Sequence, residues 1–249
     1  MPRFAANLSL LFTEYPLPDR FTAARAAGFQ RVELLFPYEM AVPDLKAALL
    51  NNGLDLVLIN TPAGNWAAGE RGLAAVPEAK ARFREGFLRA LEFARALDTT
   101  HVHVMAGISE DPKTEATFIE NLRWATAEAS DRSLTIEPIN AIDMPGYALS
   151  DFNQAARFLD AIAAPNLHLQ FDADDAHRIT GDVLGAWKTH GHRAAHVQIG
   201  GYPGRNEPTS GEIDYPAFFN LLDTSGYTGI VSGEYFPEGR TEDGLGWLR

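Results

Sequence analysis

Four oxygen-bearing side chains lie at or just after the ends of apolar runs such as Leu134-Thr135-Ile136. The chain between successive members is long enough for one strand, one helix and two loops. If the strands are parallel, all four side chains emerge at the same edge. Three carboxylates and an amide that converge there would need a divalent cation, because unpaired buried charge is costly. The sequence therefore predicts a metal site made of Glu137, Asp172, Gln198 and Glu234.

Oxygen ligands favour Mg²⁺ or Mn²⁺ as the ion, with Zn²⁺ or Co²⁺ as alternatives. Glu137 and Glu234 are also the candidate catalytic residues, because a carboxylate can ligate with one oxygen while the other oxygen handles a proton. Asp172 and Gln198 are expected only to fix the metal. A carboxylate at a strand end is often no more than a solvated or ion-paired residue, so the prediction depends on the four occurring together.

Hydrophobic periodicity predicts eight strands that alternate with at least seven helices. The strands are predicted over 4–11, 31–35, 54–60, 101–105, 133–137, 167–171, 194–199 and 229–233. The helices are predicted over 18–27, 42–52, 77–97, 114–131, 151–163, 182–190 and 215–225. This alternation is typical of an α/β (β/α)₈ TIM barrel, here one domain over residues 1–249, with catalytic residues at the carboxyl ends of the strands. An open doubly wound sheet would normally show a glycine-rich first turn, and the first strand runs into Leu10-Leu11-Phe12-Thr13-Glu14 instead.

The composition disfavours several classes of binding partner. The chain has 249 residues, 46% hydrophobic content and a formal net charge of −12, which disfavours nucleic acid and anionic lipid. It has no cysteine, so thiolate ligands and thiol nucleophiles are excluded. We expect a cytoplasmic protein, because neither a signal peptide nor an apolar stretch of about 20 residues is present. A small molecule is the expected partner, and a homo-oligomer is left open.

Several segments together resemble the hydroxypyruvate isomerase family of xylose isomerase-like barrels, over almost the whole chain. They are Leu35–Glu39, Asn60–Gly72, Val102–Gly107, Ile136–Asn140, Asp143–Tyr147, Pro203–Pro208 and Gly233–Tyr235. The resemblance implies metal ligation by the same four residues that the spacing selects. It also implies an intramolecular oxidoreductase that interconverts hydroxypyruvate and tartronate semialdehyde through an enediolate, with a longer four-carbon 2-oxo acid as an alternative substrate.

One segment departs from the family pattern. The sixth strand of the family usually ends in Phe-Asp-x-Tyr-His-x-Gln, whereas this chain has Phe171-Asp172-Ala173-Asp174-Asp175-Ala176-His177. Asp175 replaces a neutral donor with a negative acceptor, which should weaken the binding of an anionic substrate. His177 could restore the donor. Alternatively, Asp174 and Asp175 are solvated loop or cap residues and His177 is an ordinary helix residue.

Two arginines in loops after strands are candidate clamps for a substrate carboxylate, because a guanidinium fork suits that group. Arg71 could instead pair with Glu70 or Glu39, and Arg205 with Glu207. Asn60 and His103 complete the candidate substrate-binding residues. His103 shares a strand face with His101, and core packing is the alternative for one or both histidines. Trp66 could cap the pocket or simply anchor its loop.

The same ligands would serve a sugar 3-epimerase or a polyol dehydratase, so they do not separate these activities. A sugar-acid binding protein with weak or no activity is another alternative, because of the altered sixth strand end. A phosphodiesterase is a weaker alternative, since it would want more histidine ligands and a basic groove.

Overall fold

Alternating residue types in the strands produce a closed parallel barrel in the computed structural model, which describes residues 2–209 and 211–248. Each strand pairs with the next along the chain, and β8 pairs with β1 to close the ring. The predicted TIM barrel is confirmed. The strands are β1 Arg3–Asn7, β2 Arg31–Leu34, β3 Asp55–Asn60, β4 His101–His103, β5 Ser133–Ile136, β6 Leu167–Asp172, β7 Ala194–Ile199 and β8 Ile230–Gly233.

Helices surround the barrel between the strands. They are α1 Leu17–Ala26, α2 Val42–Asn52, α3 Lys80–Leu97, α4 Thr114–Glu128, α5 Phe152–Ile162, α6 Ala173–Thr180, α7 Val183–His190 and α8 Tyr215–Thr224. Short 3₁₀ segments lie at Pro37–Glu39, Trp66–Ala68, Pro77–Ala79, Gly191–Arg193 and Thr241–Leu248. Local signals explain several ends: Gly53 terminates α2 with φ of 59°, and the Asp151 side chain caps α5 by accepting from Gln154 N at 2.8 Å. In residues 2–209 and 211–248, none of the helices has the length and apolar character needed to cross a membrane.

Some predicted boundaries were wrong. β1 ends at Asn7 rather than at Leu11, because the backbone turns there and Leu11 N donates to Asn7 O at 2.8 Å. β4 ends at His103 instead of Met105. The helix predicted from Pro77 begins with a 3₁₀ turn, since α3 starts only at Lys80.

Helix α6 was not predicted at all, since its sequence Ala173-Asp174-Asp175-Ala176-His177-Arg178-Ile179-Thr180 has few apolar residues to reveal a period. It starts directly where β6 ends. Asp172 caps it by accepting from Asp175 N at 2.8 Å. The carboxyl end of β6 is therefore a strand-to-helix junction without a loop, which places three acidic residues within four positions, Asp172, Asp174 and Asp175, beside the barrel mouth.

The two faces of the sheet carry different residues. The outer face packs on the helices through apolar side chains such as Leu169 and Phe171, which belong to the main core. The inner face, which we call the lumen, carries buried polar residues such as Gln170 and His196. A separate apolar cluster holds only Ala5, Val57, Leu58 and Ile230. Many TIM barrels fill this space with branched apolar residues, so the polar lumen is a feature that the fold alone does not require.

Candidate active site at the barrel mouth

Three carboxylates from three strands converge at the carboxyl end of the barrel. Glu137 follows β5, Asp172 ends β6 and Glu234 follows β8, and one carboxylate oxygen of each lies within 4.8 Å of the other two. All three residues are buried. Residues that are far apart in the chain thus form one cluster of negative charge, which we call the triad.

Among the described residues, Arg205 is the permanently charged cation that contacts this triad. Its Nη2 donates to Asp172 Oδ2 at 2.7 Å and to Glu234 Oε2 at 2.6 Å. The loop after β7 carries Arg205, which adopts a left-handed φ of 52°. A non-glycine residue rarely adopts this conformation, so the surrounding contacts must hold it there. The alternative pairing of Arg205 with Glu207 was wrong.

Burial and mutual repulsion dominate the electrostatics of the triad. Desolvation, followed by the charges of Glu234 and Asp172, raises the pKa of Glu137 well above its ordinary value. Burial likewise raises the pKa of Asp172, against the opposing effect of Arg205. The pKa of Glu234 rises to about 7 by burial, again opposed by Arg205. One guanidinium is therefore too little positive charge for three buried carboxylates.

Asp174 and Asp175 extend the acidic cluster, and the idea that they are solvated was wrong. Both are buried, and Arg205 Nη1 approaches Asp174 Oδ2 at 3.2 Å and Asp175 Oδ2 at 3.5 Å. Arg178 also pairs with Asp174 at 2.8 Å. Asp175 Oδ1 accepts from the backbone N–H and the side-chain amide of Asn140 at 2.6 and 2.7 Å. Asp175 thus lies at the site, tied to the loop after β5.

Gln198 lies beside Asp172 in the register of β6 and β7, and both side chains are buried. Its Oε1 accepts from Gln170 Nε2 at 2.6 Å, and its Nε2 donates to Glu33 Oε1 at 2.8 Å. The amide is therefore held between two other side chains of the lumen. Its Oε1 keeps a second lone pair, so the predicted role as a metal ligand is chemically open to it.

Sequence reasoning missed Asn7 and Glu33. The Nδ2 group of Asn7 donates to Glu33 Oε1 at 2.9 Å and to Glu234 Oε1 at 3.1 Å, while Glu33 Oε2 contacts His196 Nε2 at 2.7 Å. Neither Asn7 nor Glu33 is exposed to solvent. The available signal was the alternation of side chains along a strand, which turns Glu33 of Arg31-Val32-Glu33-Leu34 toward the lumen. A charged residue buried there must have polar partners.

His103 and Asn60 sit next to the triad. His103 Nδ1 is 3.1 Å from Asn60 Oδ1 and 3.7 Å from Glu137 Oε2. Burial lowers the pKa of His103 to about 3, so the imidazole is neutral. His101 is also buried in the lumen, with its ring centroid 5.7 Å from that of His196. Both histidines therefore line the lumen together with polar partners.

Arg71 and His177 make other contacts. Arg71 donates to the backbone oxygens of Trp66 and Glu70 and stacks over the Trp66 ring at 3.8 Å. Glu70 pairs with Arg82 instead, so the proposed Arg71 ion pairs were wrong. His177 lies in α6, 3.4 Å from Glu212 and with its ring 4.5 Å from that of Tyr202. The structure shows no contact of either residue with the triad.

Trp66 is 49% exposed and packs edge-on against Phe36 at 5.9 Å. Arg71 also stacks on the Trp66 ring. With these two contacts Trp66 anchors the loop after β3. An open groove of about 1090 Å³ lies elsewhere, outside the barrel between α1 and the segment Thr241–Leu248. None of the triad lines it, so its size gives no reason to move the candidate site away from the barrel mouth.

The residues at the mouth fit a divalent cation. Three buried carboxylates have oxygens close enough to share one ion, and they are short of positive charge. Within the described residues, Glu137 accepts no hydrogen bond, since the 3.7 Å approach of His103 is too long for one. An all-oxygen donor set is the type that Mg²⁺ and Mn²⁺ prefer.

The chain is similar over its whole length to several known proteins. Residues 21–249 match the family described as xylose isomerase-like TIM barrel. The chain is 45% identical to the 2-oxo-tetronate isomerase of Cupriavidus necator over all of this chain and 98% of that protein. It is 40% identical to the hydroxypyruvate isomerase of Escherichia coli, with the same coverage. A Brucella melitensis crystal structure described as AP endonuclease, family 2, has a TM-score of 0.97 and 42% identity, covering all of this chain and 98% of that one.

Proposed function

The chain belongs to the hydroxypyruvate isomerase family of xylose isomerase-like TIM barrels, and from this premise we propose that it isomerises a small 2-oxo acid. The reaction exchanges the positions of the carbonyl and the neighbouring hydroxyl group. Hydroxypyruvate and tartronate semialdehyde are the first substrate pair. The observation that carries the proposal is the buried triad at the barrel mouth of a chain that is 45% identical to a named isomerase.

The reaction moves one hydrogen from C3 to C2, and we propose that it moves as a proton. We assign its removal from C3 and its return at C2 to Glu137 and Glu234, which approach the mouth from β5 and β8. Removal of the C3 proton leaves an enediolate. Return of a proton to C2 and transfer of the hydroxyl proton between the two oxygens completes the isomerisation, without an external oxidant or reductant. Burial raises the pKa of both carboxylates above the ordinary value, and a more basic carboxylate is better suited to accept a proton from carbon.

Arg205 is the residue that we assign to the substrate carboxylate. Its side chain is 17% exposed and reaches the acidic cluster at the mouth from the loop after β7. A planar fork recognises a carboxylate through two parallel hydrogen bonds. Arg205 would then share its donors between the substrate and the acidic residues of α6, while His103 and Asn60 offer neutral polar atoms on the opposite side.

We propose that Glu137, Asp172 and Glu234, with Gln198 beside them, hold a divalent cation, with Mg²⁺ or Mn²⁺ favoured. When bound, the cation would act as a Lewis acid that stabilises negative charge on the two substrate oxygens. The protein contributes the fixed carboxylates, the exclusion of water from a buried site and the positions of the groups that handle the proton.

A four-carbon 2-oxo acid is the second candidate substrate. It is favoured by relatives named 2-oxo-tetronate isomerase, two of which are 43% and 45% identical to this chain. The description of the Brucella structure as an endonuclease raises a nuclease as an alternative. We favour the isomerase because the formal net charge of −12 and the acidic mouth are unsuited to a polyanion.

The test is direct. Protein stripped with a chelator is incubated with hydroxypyruvate or 2-oxo-tetronate, with and without Mg²⁺ or Mn²⁺, and the products are followed by NMR. We expect metal-dependent isomerisation, and in deuterated water we expect deuterium on carbon. Turnover without deuterium would replace proton transfer with a hydride shift, and an absence of turnover on both acids would favour a binding protein. A cytoplasmic location and a homo-oligomer remain predictions.

A further inference from the structure

A chain of hydrogen bonds crosses the lumen directly beneath the triad. Thr135 Oγ1 donates to Gln170 Oε1 at 2.8 Å, and Gln170 Nε2 donates to Gln198 Oε1 at 2.6 Å. Gln198 Nε2 then donates to Glu33 Oε1 at 2.8 Å. The hydrogen bonds all run in one direction, because each member donates to the next and the last member is a carboxylate, which has acceptor oxygens and no N–H donor.

Glu33 ends this chain and also collects two further contacts. Asn7 donates to its Oε1 at 2.9 Å, and its Oε2 lies 2.7 Å from His196 Nε2. The carboxylate is not exposed at all, so ionised Glu33 depends entirely on these partners. Glu33 does not contact Arg205 or any other side-chain cation among residues 2–209 and 211–248, apart from the titratable imidazole of His196. It is therefore a carboxylate surrounded by polar donors, with the Asn7 amide nitrogen between it and Glu234 of the acidic cluster above.

The consequence for Gln198 concerns which end of its amide can bind a cation. A glutamine amide has a donor end and an acceptor end that can exchange by rotation. Because Glu33 accepts from the nitrogen, the oxygen is the only end that can ligate a cation. Without Glu33, the flipped amide would present N–H groups to a metal, and these cannot ligate.

The consequence for Glu234 runs through Asn7. The Asn7 amide is itself fixed, since Ser9 N donates to Asn7 Oδ1 at 2.9 Å. Its nitrogen therefore faces both Glu33 and Glu234, and it donates to Glu234 Oε1 at 3.1 Å. One oxygen of Glu234 is thereby held from below, which leaves Oε2 for the groups at the mouth, including Arg205 at 2.6 Å.

We propose that Glu33 is a positioning residue for the metal centre: it fixes the Gln198 amide with its oxygen available for the cation and, through Asn7, orients Glu234. This rests on the metal site of the proposed function. Partners beyond the ligands orient those ligands, and their loss typically weakens metal affinity by about 10- to 100-fold. Glu33 touches neither substrate nor metal in this arrangement.

The experiment measures Mn²⁺ affinity directly, from free Mn²⁺ in electron paramagnetic resonance. Glu33→Gln removes the charge and admits a second amide, whereas Glu33→Asp keeps the charge and loses the reach to Gln198. We expect both variants to bind Mn²⁺ at least about tenfold more weakly. If Glu33 acted only by its distant negative charge, Glu33→Asp would bind like the wild type, and that result would overturn the proposal.

A matched control lies on the other side of the same amide. Gln170→Met removes the donor to Gln198 Oε1 but leaves the Gln198 nitrogen on Glu33, so we expect Mn²⁺ affinity within about twofold of wild type. Equal losses in Gln170→Met and Glu33→Asp would mean that any lumen change disturbs the site, and would also overturn the assignment. If wild-type protein binds no Mn²⁺, the proposed metal site fails first and separately.

Should both Glu33 variants fail to fold, the wild-type protein supplies the test. In ¹⁵N-labelled protein, the Gln198 side-chain amide signal is assigned by its loss in Gln198→Glu. We expect this signal to stay protected from solvent exchange when Mg²⁺ is added, since Glu33 continues to hold the nitrogen. Loss of protection on Mg²⁺ addition would show that the amide lets go of Glu33, which contradicts the proposal.

Discussion

Glu33 and Glu137 are two carboxylates buried in the same barrel with opposite surroundings. Glu33 has donors on both oxygens, from Asn7, Gln198 and His196. Glu137 has no hydrogen bond among the described residues, and its neighbours Asp172 and Glu234 repel it. The comparison teaches that burial alone does not mark a reactive carboxylate. A reactive carboxylate is marked by missing hydrogen-bond donors next to other negative charges, because a bound cation or proton then stabilises it.

The largest effect is expected on turnover, when Glu137, which lacks hydrogen-bond donors, is replaced. We expect Glu137→Gln to lower turnover by at least about a hundredfold, because it removes a group that handles the proton. Excess Mn²⁺ should not restore that loss, whereas it should restore Glu33→Asp, whose defect is one of metal affinity. Steady-state kinetics over a range of Mn²⁺ concentrations measure both. Full rescue of Glu137→Gln by metal would erase the distinction.

Arg205 tests how the mouth balances its charge. We expect Arg205→Gln to raise KM for the 2-oxo acid by about 10- to 100-fold, since a charge-assisted pair is lost. The same variant should bind Mn²⁺ more tightly, because the guanidinium no longer occupies Asp172 Oδ2 and Glu234 Oε2. Calorimetric titration and kinetics give the two values. Weaker Mn²⁺ binding together with an unchanged KM would remove Arg205 from the substrate site.

Stability against pH should also separate a repelled carboxylate from a satisfied one. The pKa of Glu234 is about 7 in the folded protein and 4.5 ordinarily, so its protonated form is favoured by folding. Its contribution is fully present below pH 4.5 and is lost as pH rises through 7, by up to on the order of 3 kcal/mol. Chelator-treated wild type should therefore lose stability relative to Glu234→Gln across this range. Denaturant unfolding at several pH values measures the difference, and parallel curves would contradict it.

The smallest effect is expected at Asp175, whose surroundings are intermediate between those of Glu33 and those of Glu137. Its Oδ1 accepts from Asn140, while its Oδ2 faces Arg205 at 3.5 Å. Asp175→Asn keeps the acceptor oxygen and removes one negative charge near the substrate carboxylate. We expect KM to fall by about two- to fivefold, as suits one charge at a partly screened distance. Asp175→His, which restores the residue of the family pattern, is the companion variant, and unchanged kinetics in both would place Asp175 outside the substrate site.

The barrel was predictable because each strand is marked by a run of apolar residues and seven of the eight α-helices by a helical period, α6 being the exception. Leu134–Ile136 and Leu167–Phe171 are examples. Parallel strands then require their carboxyl ends to share one rim, which brought Glu137, Asp172 and Glu234 together before any coordinates. Because a parallel barrel brings all strand ends to one rim, only the ends of the strands had to be located in the sequence.

The support beneath the rim was not predictable in the same way. Glu33 and His196 are separated by 163 positions, and neither lies at a strand end. Inward parity can suggest that such residues are buried, but only the register across several strands decides which donor meets which acceptor. Arg205 illustrates the same limit: the loop could be recognised, yet its partners depend on a left-handed backbone residue and on a helix, α6, that has little apolar pattern.

The separation between a polar lumen and an apolar outer layer has a consequence for how this protein can change. Packing against the helices and chemistry at the mouth draw on alternate residues of the same strands, such as Phe171 and Asp172. Substitutions in the outer layer can therefore raise or lower heat resistance while the reactive geometry stays intact. Apolar replacements inside the lumen would raise stability at the cost of activity. A stabilised variant that keeps its activity should therefore be sought among the outward positions.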